Sequence, residues 1–243
     1  MTVHVDQRTS HVRVVTIDRP QRRNAVDRET LLALEAAVND AAADVRVLVL
    51  RGAGGHFCAG ADLTGVEDAH FAVVLRKVLV ALRDAPFATL AAVDGAALGA
   101  GTQLAVACDL RTADSSAQFG IPAAKLGLMV DHWTVQRLAL LAGHGPARAM
   151  LLAAEVLSGH DAHRLGLTQR LSSVADALVW ADEISSRAPL TVAGHKLMLN
   201  RLEDDPAPDP EVARAFADAW DSEDLQEGLA SFRERRPPSF RGS

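Results

Sequence analysis

The sequence lacks the features of several large functional classes. It has only two cysteines, Cys58 and Cys108, which are far apart and without the paired spacing of a metal knuckle or a redox motif. This usage is typical of a reduced, cytosolic protein. The chain also has no Lys- or Arg-dense run, and its formal net charge is -6. Binding to nucleic acid or to an anionic membrane needs a concentrated positive field, so we expect neither partner.

Long apolar segments are missing as well. The longest stretch without charge is the fourteen residues from Gly95 to Cys108, which is shorter than the roughly 20 residues that a membrane-spanning helix needs. The initial MTVHVDQ has no basic segment followed by an apolar one, so we expect no secretory signal and a cytoplasmic location. A phosphate-binding Gly-Lys-Ser/Thr motif is absent, and Gly99-x-Gly101 is followed by Leu104 where a dinucleotide-binding fingerprint needs a third glycine.

What the chain does contain predicts an α/β fold. Its 243 residues are 49% hydrophobic, which suffices for a core without disulfides or metal. Short apolar runs at His11–Ile17, Val45–Leu50 and Thr89–Val93 read as strands, and they alternate with helical patterns such as the one that begins near Leu31. This alternation favours βαβ crossovers on a largely parallel sheet. From about Asp131 onward the patterns are mostly helical, apart from a proline-rich connector over 204–210.

Two glycine-bearing loops follow predicted strands, at residues 56–63 and 94–103. Small residues let a ligand approach the backbone closely, and a helix that begins near Ala100 would point unpaired N–H groups at that ligand. Such an arrangement suits an oxygen atom that gains negative charge. Each loop taken alone is also explained by tight turns and close contacts between helix and sheet.

Several spaced motifs then occur in one order along the chain and resemble the crotonase (enoyl-CoA hydratase/isomerase) family. They are Pro20-x-x-Arg23-Asn24-Ala25, Phe57-Cys58-Ala59-Gly60-Ala61-Asp62-Leu63, Ala91-Ala92-Val93-Asp94-Gly95 with Leu98-Gly99-Ala100-Gly101, Cys108-Asp109-Leu110-Arg111, Phe119-Gly120-x-Pro122 and Leu126-Gly127-Leu128. The resemblance implies a crotonase-like spiral of ββα units over residues 1–190. It also implies a helical region over residues 191–243 and assembly as a homotrimer or homohexamer.

The same resemblance implies an acyl-CoA ligand, with CoA as part of that ligand and no separate cofactor or metal. Two backbone N–H groups of the family, which hold the thioester oxygen, fall on Ala61 and on Ala100, where glycine is usual. The positions that match the CoA-binding path are Arg23, Ala25, Ala59, Ala61, Asp62, Leu63 and Gly99, with Arg241 near the tail. Each arginine taken alone also fits a solvated surface.

Both glutamates that hydratases of this family use for proton transfer are absent. Their positions fall on Gln103 and Ala123. An amide does not titrate near neutral pH and a methyl group carries no proton, so neither residue replaces a carboxylate. Because general acid–base catalysis contributes roughly 10²- to 10⁴-fold per group, we expect hydratase activity to be absent or very weak.

One carboxylate remains, that of Asp131. It falls where the dienoyl-CoA isomerases and the aryl-CoA dehalogenases of the family carry a working aspartate. A dehalogenase also needs a histidine base, and the segment 67–85 offers only His70, which comes too early in that segment. Asp131 directly precedes an apolar helical pattern, so a helix N-cap explains it equally well. His132 and Trp133 are bulky where hydratases have small residues, and we expect them to narrow the acyl pocket or to pack in the core.

Other candidate residues are weaker. His160 and His163 have no third ligand and fit a surface helix start better than a metal site, and Cys58 fits a loop position beside the oxyanion hole better than a nucleophile. The sequence therefore favours a protein of lipid metabolism that binds fatty acyl-CoA without hydrating it, and that hands it to an enzyme of fatty-acid biosynthesis. A CoA-thioester isomerase, hydrolase or lyase using Asp131 is the main alternative, and a protein-interaction scaffold is a third.

Overall fold

The computed structural model describes residues 2–41, 44–62, 70–202, 217, 220–236 and 238. Three sequence predictions lie outside these residues: the roles of Leu63 and Arg241 in CoA binding, and the connector over 204–210. Within the described part of the chain, no helix is long and apolar enough to cross a membrane.

Strands and helices alternate through the first half of the chain. The strands are β1 (Val3–Thr9), β2 (Val12–Ile17), β3 (Val47–Gly52), β4 (Ala88–Val93), β5 (Ala96–Leu98), β6 (Leu110–Ala113), β7 (Gln118–Gly120), β8 (Val156–Ser158) and β9 (Arg170–Leu171). The helices are α1 (Arg28–Asn39), α2 (His70–Asp84), α3 (Ala100–Ala107), α4 (His132–Ala142), α5 (His144–Leu152), α6 (Gly159–Arg164), α7 (Val174–Ser185), α8 (Pro189–Leu202) and α9 (Glu223–Glu234). Short 3-10 turns cover Pro20–Arg22 and Pro122–Lys125.

The main sheet has the strand order β1-β2-β3-β4-β6-β9. Strands β2, β3, β4, β6 and β9 pair in parallel, and β1 pairs with β2 antiparallel at one edge. The central strands are apolar runs rather than alternating ones, because helices cover both faces of the sheet. One face packs on α1 and α2 in the larger core, and the other packs on α7 through Ala177 and Ala181.

A second, smaller sheet has the order β5-β7-β8. Helix α3 begins directly after β5, and its side chains are all buried. The sequence predicted the three central strands of the main sheet. It missed β1, whose residues are mostly exposed, and the strands of the small sheet, which are too short to show a pattern.

The helical part of the chain begins before the predicted division at residues 190 and 191. Helices α4 to α7 precede that point, and the division falls inside α8. Helix α8 is tied to the main sheet by Lys196, whose Nζ lies 2.8 Å from Asp109 Oδ2 and donates to the carbonyls of Leu82 and Phe87. The division into a core of residues 1–190 and a region of residues 191–243 therefore stays a prediction.

Candidate functional site

A cavity of about 860 Å³ opens between helix α2, the start of helix α3 and the segment 121–131. Trp220 and Phe232, near and on the last helix, add to its wall. Ten residues that the sequence singled out line it. They are Arg23, Ala25, Ala59, Ala61, Asp62, Gly99, Ala100, Gln103, Ala123 and Asp131. The structure thus brings together four separate segments of the sequence.

The two glycine-bearing loops are joined by backbone hydrogen bonds. The N–H of Cys58 donates to the carbonyl of Ala96 at 2.8 Å, and the N–H of Leu98 donates to the carbonyl of Cys58 at 2.9 Å. A side chain at Gly101 would place its Cβ 2.0 Å from the Cys58 carbonyl oxygen, so only glycine allows this approach. The contact sets Ala61 and Ala100 on the wall of one cavity.

Ala61 turns its N–H away from the strand-like bridge that holds it. The bridge to Val26 uses the carbonyl of Gly60 and the N–H of Asp62, each at 2.8 Å. Ala61 lies between Gly60 and Asp62. In an extended chain the N–H and C=O of such a middle residue point away from the partner strand, here away from Val26. The N–H of Ala61 donates to no other residue of the described chain, and Ala61 lines the cavity.

Ala100 supplies a second backbone donor. It is the first residue of α3, so its N–H has no partner within the helix. Gly99 before it takes a positive φ of 54°, whereas Ala100 is not among the described residues with positive φ. The methyl group of Ala100 therefore fits the ordinary helical backbone, and the N–H is retained at a position where the resemblance led us to expect glycine. The positive end of the helix dipole adds to the field at this point.

The predicted CoA side of the cavity is built on a buried asparagine. Asn24 is fully buried, its Nδ2 donates to the carbonyls of Ala53 and His56, and its Oδ1 accepts from the N–H of Arg19. Arg19 Nη2 also lies 3.0 Å from Asp62 Oδ2, which compensates that buried carboxylate. These contacts hold Arg23, whose side chain is exposed, at the mouth of the cavity.

Gln103 and Ala123, to which the resemblance assigns the positions of the hydratase glutamates, both line the cavity. Gln103 is 8% exposed, and its Oε1 accepts a hydrogen bond from Thr134 Oγ1 at 3.1 Å. The N–H of Gly99 donates to the carbonyl of Gly120 at 2.8 Å, which holds the segment bearing Ala123 against the start of α3. This wall offers an amide and a methyl group, and neither transfers a proton.

Asp131 caps helix α4, one of the two roles that the sequence suggested. Its Oδ1 accepts from the N–H of Thr134 at 2.9 Å. Its Oδ2 lies 3.5 Å from Nη1 of Arg76. Asp131 also lines the cavity, so its capping role and its place in the site coexist.

Sequence reasoning missed Arg76, which lines the cavity from the middle of α2. Its guanidinium stands over the ring of Trp133, 4.9 Å from the ring centre. Burial lowers the pKa of Arg76, and the charge of Asp131 offsets part of that effect. The sequence of α2 gave no signal for this role, because an arginine on an amphipathic helix ordinarily faces solvent.

His132 and Trp133 are not among the described residues that line the cavity. Trp133 is 8% exposed and packs in the larger core, and the guanidinium of Arg76, which does line the cavity, stands over its ring. The expected role of His132 and Trp133 in narrowing the acyl pocket stays a prediction.

The weaker candidates lie outside the cavity. Cys58 is completely buried, and burial raises its pKa to about 12, so its thiol is a poor nucleophile. His160 and His163 lie in the short helix α6, and the part of the chain that the structure describes holds no cluster of three metal-ligating side chains.

Comparison with known proteins identifies the family of this chain. The family model described as enoyl-CoA hydratase/isomerase matches residues 7–243. The chain is 40% identical to the probable enoyl-CoA hydratase echA6 of Mycobacterium leprae, over 96% of each chain. It is 32% identical to the mitochondrial methylglutaconyl-CoA hydratase of Mus musculus, over 98% of this chain and 82% of that protein.

Solved structures show the same architecture. An enoyl-CoA hydratase from Mycobacterium avium subsp. paratuberculosis superimposes with a TM-score of 0.85 at 26% identity, over 99% of each chain. A methylmalonyl-CoA decarboxylase in complex with 2-nitronate-propionyl-CoA gives a TM-score of 0.91 at 23% identity, over 100% of this chain and 99% of that chain, which is evidence for the fold. The chain belongs to the enoyl-CoA hydratase/isomerase family, and the predicted crotonase-like fold is confirmed.

Proposed function

We propose that this protein binds fatty acyl-CoA thioesters and does not hydrate them. The observation that carries the proposal is the pairing of two backbone donors, at Ala61 and Ala100, with a wall that bears Gln103 and Ala123 in one cavity. Backbone N–H groups hold a thioester oxygen whether or not a reaction follows. Hydration further requires groups that move protons, and this wall has none.

The remaining carboxylates support the proposal. Among the described residues that line the cavity, the acidic ones are Asp62 and Asp131. Asp62 is paired with Arg19, and Asp131 uses one oxygen as a helix cap while the other faces Arg76. A general base needs a free oxygen within reach of the proton it removes.

The lining favours an apolar acyl group. Helix α2 contributes Phe71, Leu75 and Leu79, and the segment before α4 contributes Leu128 and Val130. An apolar wall binds a hydrocarbon chain by removing it from water, at roughly 0.8 kcal/mol for each buried CH₂ group. We therefore propose a fatty acyl chain as the occupant, with CoA at the exposed mouth near Arg23.

Binding is tested by calorimetry with saturated acyl-CoA thioesters and a matched pair of variants. Val73 lines the cavity and Val179 lies on α7 away from it, and both are 53% exposed. We expect V73E to weaken acyl-CoA binding by about tenfold, or about 1.4 kcal/mol, because it sets a negative charge beside an apolar chain and the CoA phosphates. V179E should bind like the parent protein. Equal affinity in both variants would contradict this location of the ligand.

Catalysis is tested with crotonyl-CoA. We expect no hydration above the uncatalysed rate, measured as loss of the enoyl thioester absorbance, under conditions where acyl-CoA binding is demonstrated. Turnover at a rate typical of a hydratase would overturn the proposal, because it would require a proton carrier other than the two missing glutamates.

The second candidate function is that of a CoA-thioester isomerase, hydrolase or lyase using Asp131. It is favoured by one observation, the position of the Asp131 carboxylate on the cavity wall. Incubation with enoyl- and dienoyl-CoA thioesters in deuterated water separates the two functions. Deuterium uptake into the acyl chain that is lost in D131N would favour the enzyme, whereas tight binding without uptake would favour the carrier.

We further propose that the chain assembles as a homotrimer or homohexamer and passes its acyl-CoA to an enzyme of fatty-acid biosynthesis. No cofactor beyond the CoA of the ligand is proposed. Light scattering of the purified protein tests the assembly.

The third alternative, a protein that serves only as an interaction scaffold, is tested by thermal unfolding with saturating acyl-CoA. A scaffold would show no thermal shift, whereas a protein that binds acyl-CoA should be stabilised by about 2.7 kcal/mol at a ligand concentration 100 times Kd.

A further inference from the structure

Gln103 presents an oriented amide to the cavity. Its Oε1 accepts from the hydroxyl of Thr134, which is fully buried on α4. The backbone N–H of Thr134 is in turn held by Asp131. With the carbonyl end of the amide engaged in this way, the Nε2 end is left as a donor, and it donates to no residue of the described chain. An uncharged N–H donor therefore faces the ligand where a hydratase has a carboxylate.

The amide lies one helical turn from the oxyanion donor. Gln103 follows Ala100 by three residues in α3, so the two positions share a face of the helix and lie about 5 to 6 Å apart. An acyl thioester with its oxygen at the N–H groups of Ala61 and Ala100 would extend its next carbons past Gln103. The backbone donors at Ala61 and Ala100 would therefore bind an oxygen on C1 of the acyl chain, and the amide of Gln103 would bind an oxygen on C3.

The side chains near Gln103 favour a neutral oxygen on C3 of the acyl chain rather than an anionic one. Ala123 contributes a methyl group, so no carboxylate repels an acceptor at C3. The charge of Arg76 is offset by Asp131 at 3.5 Å. Lys77 also lines the cavity, but it is exposed, so solvent and salt screen its attraction for a second carboxylate on the acyl chain.

We propose that the site prefers acyl-CoA thioesters that carry an oxygen on C3, and that Gln103 is the residue that selects them. A ketone fits best because it only accepts hydrogen bonds, whereas a 3-hydroxyl brings a proton for which the amide N–H offers no acceptor. The inference rests on the proposed acyl-CoA binding and names the class of acyl chain within it.

The test compares four CoA thioesters of one chain length by calorimetry: saturated, trans-2-enoyl, 3-hydroxy and 3-oxo. A neutral hydrogen bond contributes about 0.5 to 1.5 kcal/mol, so we expect the 3-oxo thioester to bind about three- to tenfold more tightly than the saturated one. Q103M removes the donor and keeps the length of the side chain, and the ratio should fall to within about twofold of unity. Q226M, at an exposed glutamine of α9 outside the cavity, should keep the parent ratio.

Q103E is the second variant. It replaces the donor by an acceptor, so it should disfavour the 3-oxo thioester relative to the saturated one. A parent protein that binds all four thioesters equally would overturn the inference and leave acyl-CoA binding intact. A 3-oxo preference that survives both Q103M and Q103E would overturn the role of Gln103. Failure to bind any thioester would overturn the proposed function and this inference with it.

Discussion

The two walls of the cavity are built in different ways. The wall that would hold the thioester oxygen consists of backbone N–H groups at Ala61 and Ala100, whose positions follow from strand pairing and from a helix start. The wall that would move protons consists of side chains at Gln103 and Ala123. A substitution removes a side-chain group at little structural cost, whereas the backbone donors persist as long as the chain folds. A protein of this fold can therefore lose the side chains needed for catalysis and still bind its ligand.

The first prediction tests this difference by introducing glutamates at the two positions where the family resemblance places them. The double variant Q103E/A123E should gain measurable hydration of crotonyl-CoA, because the proposed oxyanion donors at Ala61 and Ala100 are unchanged and general acid–base groups contribute roughly 10²- to 10⁴-fold each. The gain is measured as kcat/KM against the parent protein.

Each single variant is the control for the double variant. Q103E alone and A123E alone should each remain far below the pair, since groups that act as a unit are not additive. A double variant that folds, binds acyl-CoA and shows no hydration would mean that the path of the water is closed, with His132 and Trp133 as the first residues to replace by smaller ones.

The second prediction disturbs the backbone wall. G101A should destabilise the protein by about 3 kcal/mol, because overpacking a close contact costs this much and the added Cβ would stand 2.0 Å from the Cys58 carbonyl. The measurement is the free energy of unfolding in urea.

G145A is the matched control for G101A. Gly145 lies in α5 with no atom within 4 Å of an added Cβ, so alanine there should be neutral or stabilise by up to about 1 kcal/mol. Equal effects of the two variants would contradict the close approach of the loop and the helix.

The sequence predicted the elements whose patterns are local. The runs that became β2, β3 and β4 are apolar because both faces of the sheet are covered, and this is visible in the sequence. The strands β5, β7 and β8 are held by tertiary pairing of three residues each, and no periodicity can be recognised over such a length. The family resemblance that the motifs carry implied which loops would meet, but the distances between them needed the structure.

Arg76 shows why part of the site could not be predicted. An arginine on an amphipathic helix ordinarily faces solvent, and nothing in the sequence of α2 indicates that α4 would set Trp133 and Asp131 against it. Trp133 illustrates the converse, because its size fitted either a pocket residue or a core residue, and the structure shows it buried in the larger core. The capping role itself depended on local chemistry and was predictable.

The third prediction separates the cap of α4 from the charge at Asp131. Asparagine caps a helix about as well as aspartate, whereas alanine costs about 1 kcal/mol. D131N should therefore lose only a few tenths of a kcal/mol, since the pair with Arg76 is half-exposed and long at 3.5 Å. D131A should lose about 1 kcal/mol more than D131N. Urea unfolding of both variants measures the difference, and equal losses would mean that the charge matters more than the cap.

The last prediction concerns the thiols at the two ends of the α3 region. Cys58 and Cys108 are both fully buried, and burial raises the pKa of each to about 12. Because the thiolate is the reactive form, neither cysteine should react with a disulfide reagent in the folded protein near pH 8, and both should react in urea. Rapid labelling of the folded protein would contradict the burial of Cys58 beside the oxyanion donors.

The same burial sets the sign of a pH dependence. In the unfolded chain the two thiols ionise near pH 9, whereas in the folded protein they stay protonated up to about pH 12. Between these pH values the unfolded state therefore binds fewer protons than the folded state. The stabilisation is therefore complete below about pH 9 and is lost as the pH rises toward 12. C58A removes one of the two thiols, so its free energy of unfolding should fall less between pH 8 and pH 10.5 than that of the parent. An unchanged slope in C58A would mean that Cys58 ionises in the folded state and that the backbone wall is more open than its packing indicates.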